Sequence, residues 1–174
     1  MLTTSYWITL ERALVESLPF SISERQNGML GLLYALESMA ALLLMCDRRD
    51  LGTAVGERPP KPGTPASSAS SDDAEMIGAR HVVPLPSRPS VAPGGVHEYF
   101  EPNLYLYDAY PGGIGFSQPL FDLHSNLLAR TRELVSGCPC EQGCPSCVGP
   151  APDSGERTKQ GALALLDRLC PLPG

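Results

Sequence analysis

Cys138, Cys140, Cys144 and Cys147 fall within ten residues, in the run CPCEQGCPSC, and this density narrows what the surrounding chain can fold into more than any other feature. Four thiolates on one short loop, with Pro139, Gly143 and Pro145 shaping the turns between them, match the donor set of a closed tetrahedral zinc site. Such a site fills its coordination sphere with protein sulfur at about 2.3 Å per bond and leaves no position open for a substrate. The loop is therefore read as structural, with Zn²⁺ as its cofactor. A disulfide is the weaker reading, because Cys138 and Cys140 are too close in sequence for easy bridging. No secretory signal is present to carry the chain to an oxidising compartment, so a cytoplasmic location is expected. An iron–sulfur cluster also uses four thiolates, but gaps of one, three and two residues fit neither of the familiar ferredoxin spacings. Taken alone, Cys144-Pro145-Ser146-Cys147 is a CxxC redox motif, and the two cysteines before it argue against that use.

The 174 residues allow one domain, and not all of them can serve its core. Residues 57–95 contain PPKPGTPASSASSDD and PLPSRPSVAPGG, with too few apolar side chains to offset the entropy of ordering them. The expected organisation is an N-terminal part over residues 1–56, a flexible Pro/Ser/Gly-rich insertion over 57–95, and a part carrying the cysteines over 96–174. A domain divided in this way gains stability from a metal clip, since metal binding energy available only to the folded arrangement becomes folding energy.

Net charge and hydropathy exclude two classes of partner. The formal charge is −6, and four ionised thiolates around one Zn²⁺ would add about −2 to it. Autonomous, tight nucleic-acid binding leaves a basic footprint that this chain lacks. The basic pairs Arg48 with Arg49, Arg130 with Arg132, and Arg157 with Lys159 are read first as solvated helix ends, and only second as phosphate contacts. Residues 29–46, MLGLLYALESMAALLLMC, approach membrane-spanning length, but Glu37 and Ser38 interrupt the middle. A central carboxylate costs about 2.5–3.5 kcal/mol on insertion scales, and DRRD follows without an aromatic belt. A buried core helix and no membrane association are expected.

The remaining chain reads as a mixture of strands and helices. Residues 3–10, TTSYWITL, have strand composition with Trp7 expected in the core, and residues 11–18 form a short helix stopped by Pro19. Ser23 is a candidate cap for the apolar helix, and Gly52 lies beyond its end. Residues 99–107 form a strand with Leu104 and Leu106 on one face and Tyr105 and Tyr107 on the other, and Asp108 opens a turn. Phe116, Leu120, Leu123, Leu127 and Leu134 then recur at helical spacing up to Gly137, with Pro119 tolerated in the first turn. A last helix is expected over residues 158–169, with Ala162, Leu165, Leu166 and Leu169 inward and Pro171 ending it. The fold class is thus α+β: a few strands, a buried apolar helix, and two helices flanking the four-cysteine loop.

Several motifs carry less than they suggest. Gly112-Gly113-Ile114-Gly115 sits between strand and helix, where backbone N–H groups can cradle a phosphate, but it lacks the Lys-Ser/Thr of a P-loop and the full GxGxxG pattern. A tight turn is the simpler reading. Asp108 has no second carboxylate or histidine beside it for acid/base work and is expected to bond backbone N–H groups. His81, His97 and His124 are scattered, and His124 is expected on a helix surface. Cys46 and Cys170 lie in apolar contexts, where cysteine acts as a small hydrophobe.

The run YDAYPGGIGFS, the leucine-rich helix after it and CPCEQGCPSC together resemble the MrfA-like zinc-binding domain found at the C-terminus of superfamily 2 DEAD/DEAH-type DNA helicases. The likeness extends to TTSYWITL, to the apolar helix ending in CDRRDLG, and to ERTKQGALALLDRL. It departs in the long Pro/Ser-rich stretch and in VGPAPDSG after Cys147. The resemblance implies that Cys138, Cys140, Cys144 and Cys147 are zinc ligands. It also implies a non-catalytic module that serves ATP-dependent 3′-to-5′ DNA unwinding in repair. The partners would be helicase motor domains in cis or in trans, and DNA through the assembled helicase. No GxxxxGK[ST], DEAD or DEAH box occurs in these residues, so the chain is not expected to be an enzyme by itself. The alternative is a thiol-based redox or metal-transfer protein using the CxC and CxxC pairs.

Overall fold

The computed structural model describes residues 4–57, 102–150 and 157–170. Their order is β1 (Ser5–Thr9), α1 (Arg12–Glu16), α2 (Ile22–Leu44), a 3₁₀ turn (Arg48–Asp50), β2 (Leu51–Glu57), β3 (Pro102–Asp108), α3 (Ser117–Asp122), α4 (His124–Gly137) and α5 (Thr158–Leu169). The expected α+β class is what the chain adopts. Of the expected insertion, only Glu57 is described, as the last residue of β2, and residues 58–95 lie outside the described residues.

The sheet is antiparallel with order β1-β3-β2, so the strand that comes last in sequence occupies the middle. Pairing sets Tyr6 against Leu106 and Ile8 against Leu104 on one side of β3, and Thr53 against Leu106 and Val55 against Leu104 on the other. Because side chains alternate along a strand, this register gives one face to Tyr6, Ile8, Leu104, Leu106 and Val55, which join the core packed on α2. Trp7 falls on the opposite face beside Tyr105 and is 40% exposed, which corrects its expected core position. Strand β2 was not foreseen from the sequence. Its Gly52 leaves room for the Tyr107 ring, since a Cβ there would sit 2.3 Å from that ring.

α2 is the axis of the fold. Its cap is Ser21, two residues before the expected Ser23: the Ser21 hydroxyl accepts from the Glu24 N–H at 3.3 Å and the Glu24 carboxylate accepts from the Ser21 N–H at 2.7 Å. This reciprocal pair satisfies two of the N–H groups a helix start leaves open. The helix ends at Leu44, with Met45 in the left-handed region. It is long and apolar enough to cross a membrane by length and composition, yet 56% of its apolar window is buried against the rest of the chain. α5 crosses it at Gly28 and Gly161, where a Cβ on Gly28 would lie 2.9 Å from Gly161 backbone atoms. That close approach buries Ala162, Leu165 and Leu166 as expected, with Leu169 at the edge of the core. Pro171 lies outside the described residues.

The expected single helix after Phe116 is two, broken at Leu123. Pro119 sits in the first turn of α3, where its missing N–H leaves no helical bond unmade. His124 then opens α4 with Nδ1 at 2.5 Å from the Tyr6 hydroxyl, so it is partly buried instead of lying on the helix surface. Burial holds the Tyr6 hydroxyl pKa above its ordinary value. His81 and His97 lie outside the described residues.

Candidate metal centre

α4 delivers the first cysteine directly. Leu127, Leu128, Thr131 and Val135 anchor the helix in the core, and Cys138 is its C-terminal cap in extended conformation. Gly143, in the left-handed region at φ 126°, turns the chain back. A tight turn follows in which the N–H groups of Cys147 and Val148 both donate to the Cys144 carbonyl, at 3.0 and 3.1 Å. Cys147 and Val148 are buried, so the second half of the loop is rooted in the core as firmly as the first.

The loop is also held from two other helices. The Tyr34 hydroxyl of α2 donates to the Pro145 carbonyl at 2.9 Å. From α5, the Lys159 N–H donates to the Gln142 carbonyl at 3.0 Å and the Gln160 amide to the Glu141 carbonyl at 2.7 Å. The Lys159 ammonium donates to the carbonyls of Cys138 and Cys140, at 2.6 and 2.7 Å. Sequence reasoning missed Tyr34 and treated Lys159 as a solvent-facing charge. The signal that could have found Lys159 is its place in the first turn of α5, where the helix dipole disfavours a cation.

These supports bring four sulfurs to one point. Cys138 and Cys144 Sγ lie 3.5 Å apart, Cys140 and Cys147 3.5 Å, and Cys144 and Cys147 3.7 Å, with all four within 4.8 Å of one another. Sulfurs placed tetrahedrally at zinc bond length stand about 3.8 Å apart, so the donor set fits that ion. These separations are far beyond the ~2.05 Å of a disulfide, and all six cysteines are free. The thiols differ in acidity. The Ser146 N–H and then the Cys138 thiol lower Cys144 to about 7, while burial pushes Cys147 up to about 12 and desolvation raises Cys140. Without a cation, Cys140 and Cys147 therefore keep their protons at neutral pH, and a metal entering the cluster displaces them. Cys46 and Cys170 pack against the core edge and are not members of the group.

Other candidate groups are occupied within the fold. Asp108 is fully buried, and its Oδ2 accepts from the Thr4 hydroxyl at 2.9 Å and the N–H groups of Ile114 and Gly115 at 2.8 and 2.9 Å, while Oδ1 accepts from Phe116 N–H at 3.2 Å. Two of the glycine loop's N–H groups thus go to the chain's own carboxylate, and that of Gly113 goes to the Tyr110 carbonyl at 3.1 Å. Gly113, at φ 74°, lies where a Cβ would meet that carboxylate at 2.6 Å. Arg48 pairs with Glu37 and stacks 4.4 Å over the Tyr34 ring. Arg130 pairs with Glu133, Arg132 with Asp167, and Arg157 with Glu24.

An α+β fold whose helices converge on a four-thiol loop defines a metal-binding class of domain. The chain belongs to the MrfA Zn-binding domain family, which matches residues 32–148, more than half of its length. It is 41% identical over 68 residues to the uncharacterized ATP-dependent helicase YprA of Bacillus subtilis (strain 168), covering 39% of this chain and 9% of that protein. It is 33% identical over 45 residues to an uncharacterized protein of Methanocaldococcus jannaschii, covering 26% of this chain and 40% of the other. Among solved structures, the DUF1998 helicase MrfA bound to DNA matches 94% of this chain with a TM-score of 0.59 and 25% identity. The chain spans 16% of that helicase, so it corresponds to a small part of these larger proteins.

Proposed function

We infer that Cys138, Cys140, Cys144 and Cys147 hold one Zn²⁺ in a closed site, and that the chain is a non-catalytic accessory module of a DNA-repair helicase. The observation that carries this reading is the convergence of four sulfurs within 4.8 Å on a loop fastened to α2, α4 and α5. When bound, the ion cross-links the end of α4 to the start of the buried turn. The protein's own residues orient the thiols and exclude water around Cys147. Family membership supports helicase motor domains, in cis or in trans, as the partner, and DNA reached through that assembly. The acidic balance of the chain and the internal pairing of its arginines favour such indirect contact. Reduced thiols fit a cytoplasmic setting.

A second reading rests on the Cys144 thiol, lowered to about 7 beside three other sulfurs, which suits thiol exchange or metal transfer. Metal analysis of the purified chain combined with thiol titration separates the two. One zinc per chain, with thiols protected until a chelator is added, is the expected result. Fast thiol reaction in folded, metal-free protein would sink the zinc reading in favour of the second.

A further inference from the structure

The start of α5 holds a cation in a place that ordinary helix electrostatics does not explain. Lys159 is 8% exposed, and its ammonium ends on the carbonyls of Cys138 and Cys140 at 2.6 and 2.7 Å. Among the described residues no carboxylate pairs with it. A buried ammonium without an anion is costly, and two carbonyl dipoles offset only part of that cost. The negative charge that balances it is available on the same loop, because four thiolates around one divalent cation leave a net charge of about −2.

We propose that Lys159 is a positioning residue of the metal loop, acting as counter-charge to the tetrathiolate and as the strap that aims its first two thiols. The proposal rests on the reading of the four cysteines as zinc ligands. By fixing the carbonyls of Cys138 and Cys140, Lys159 sets the backbone of the CPC limb so that its sulfurs face Cys144 and Cys147. The other limb is held without charge, by the Tyr34 hydroxyl on the Pro145 carbonyl. The neighbouring cation Arg157 is engaged elsewhere, with Glu24 at 3.5 Å and over the Phe20 ring at 4.6 Å.

The test measures zinc release from the full zinc-loaded chain into excess chelator, read with a colorimetric zinc indicator, with helicity followed by circular dichroism. Lys159→Met and Lys159→Gln are expected to release zinc about 10–100 times faster than the unaltered chain, the range typical for groups that orient ligands. Tyr34→Phe, which removes one neutral hydrogen bond from the same loop, is expected to change the rate by no more than about fivefold. The Co²⁺-substituted Lys159→Gln protein should show shifted ligand-field bands, which a merely structural role would leave unmoved. Lys159→Gln keeps a neutral donor on a side chain one bond shorter, and it carries the test if Lys159→Met loses helicity. Release from zinc-loaded Lys159→Gln at the original rate overturns the proposal. An unaltered chain that purifies folded without metal overturns the zinc reading instead.

Discussion

Replacing Asp108 by Asn tests how much of this fold is held by one buried carboxylate. The aspartate serves at least four donors, three on Oδ2 at 2.8–2.9 Å and one on Oδ1 at 3.2 Å, and three of these are backbone N–H groups of the loop leading to α3. An asparagine can keep its oxygen on the three-donor side only by turning its NH₂ toward the Phe116 N–H. That loses one bond, sets two donors against each other, and weakens the remaining three from charged to neutral. With hydrogen bonds to charged groups worth about 1.5–3 kcal/mol and neutral ones about 1, the low end of each range already gives an expected loss of about 3 kcal/mol. For a domain of this size that corresponds to a fall in melting temperature of about 10 °C. Urea unfolding of the metal-loaded protein, with hydrogen exchange at Ile114, Gly115 and Phe116, measures both parts. Thr4→Val removes one donor and should cost roughly a third as much. An Asp108→Asn variant within about 0.5 kcal/mol of the unaltered protein would refute the reasoning, since that is the scatter of an ordinary surface substitution.

Further outcomes follow from the helix contacts. Gly28→Ala gains about 1 kcal/mol of helix propensity but forces a methyl to within 2.9 Å of the Gly161 backbone, so a net loss of about 1–2 kcal/mol is expected in chemical unfolding, and a gain would contradict the crossing geometry. Ser21→Ala should cost about 1 kcal/mol by the same measurement. The Glu24 carboxyl is held below its usual pKa, first by the Ser21 N–H, so its contribution is present above the unfolded carboxylate range and fades as acid takes the pH through the folded value. The stability difference between Glu24→Gln, which removes the carboxylate, and the unaltered chain should therefore shrink in acid.

The four-cysteine cluster was legible because its thiols are close together in sequence and their spacing survives without knowledge of the fold. The apolar helix and α5 were legible for a similar reason, since a period of 3.6 in leucine and alanine is local information. β2 was not: its glycines lower strand propensity, and their use emerges only once Tyr107 of β3 lies across Gly52. Trp7 misled because bulk suggests burial, whereas the alternation of Tyr6 and Ile8 assigns it to the other face. Lys159 was misjudged because its unfavourable place in the first turn of α5 signals that it has a partner without naming the two cysteine carbonyls contributed some twenty positions earlier.

The central place of β3 has a bearing on how the chain is born. β1 and β2 leave the ribosome before the strand between them exists, so Ile8 and Val55 lack their shared cross-strand partner Leu104 until residues 102–108 emerge. Nascent chains halted before that point should be captured by chaperones, and those extended past α5 should be released from them.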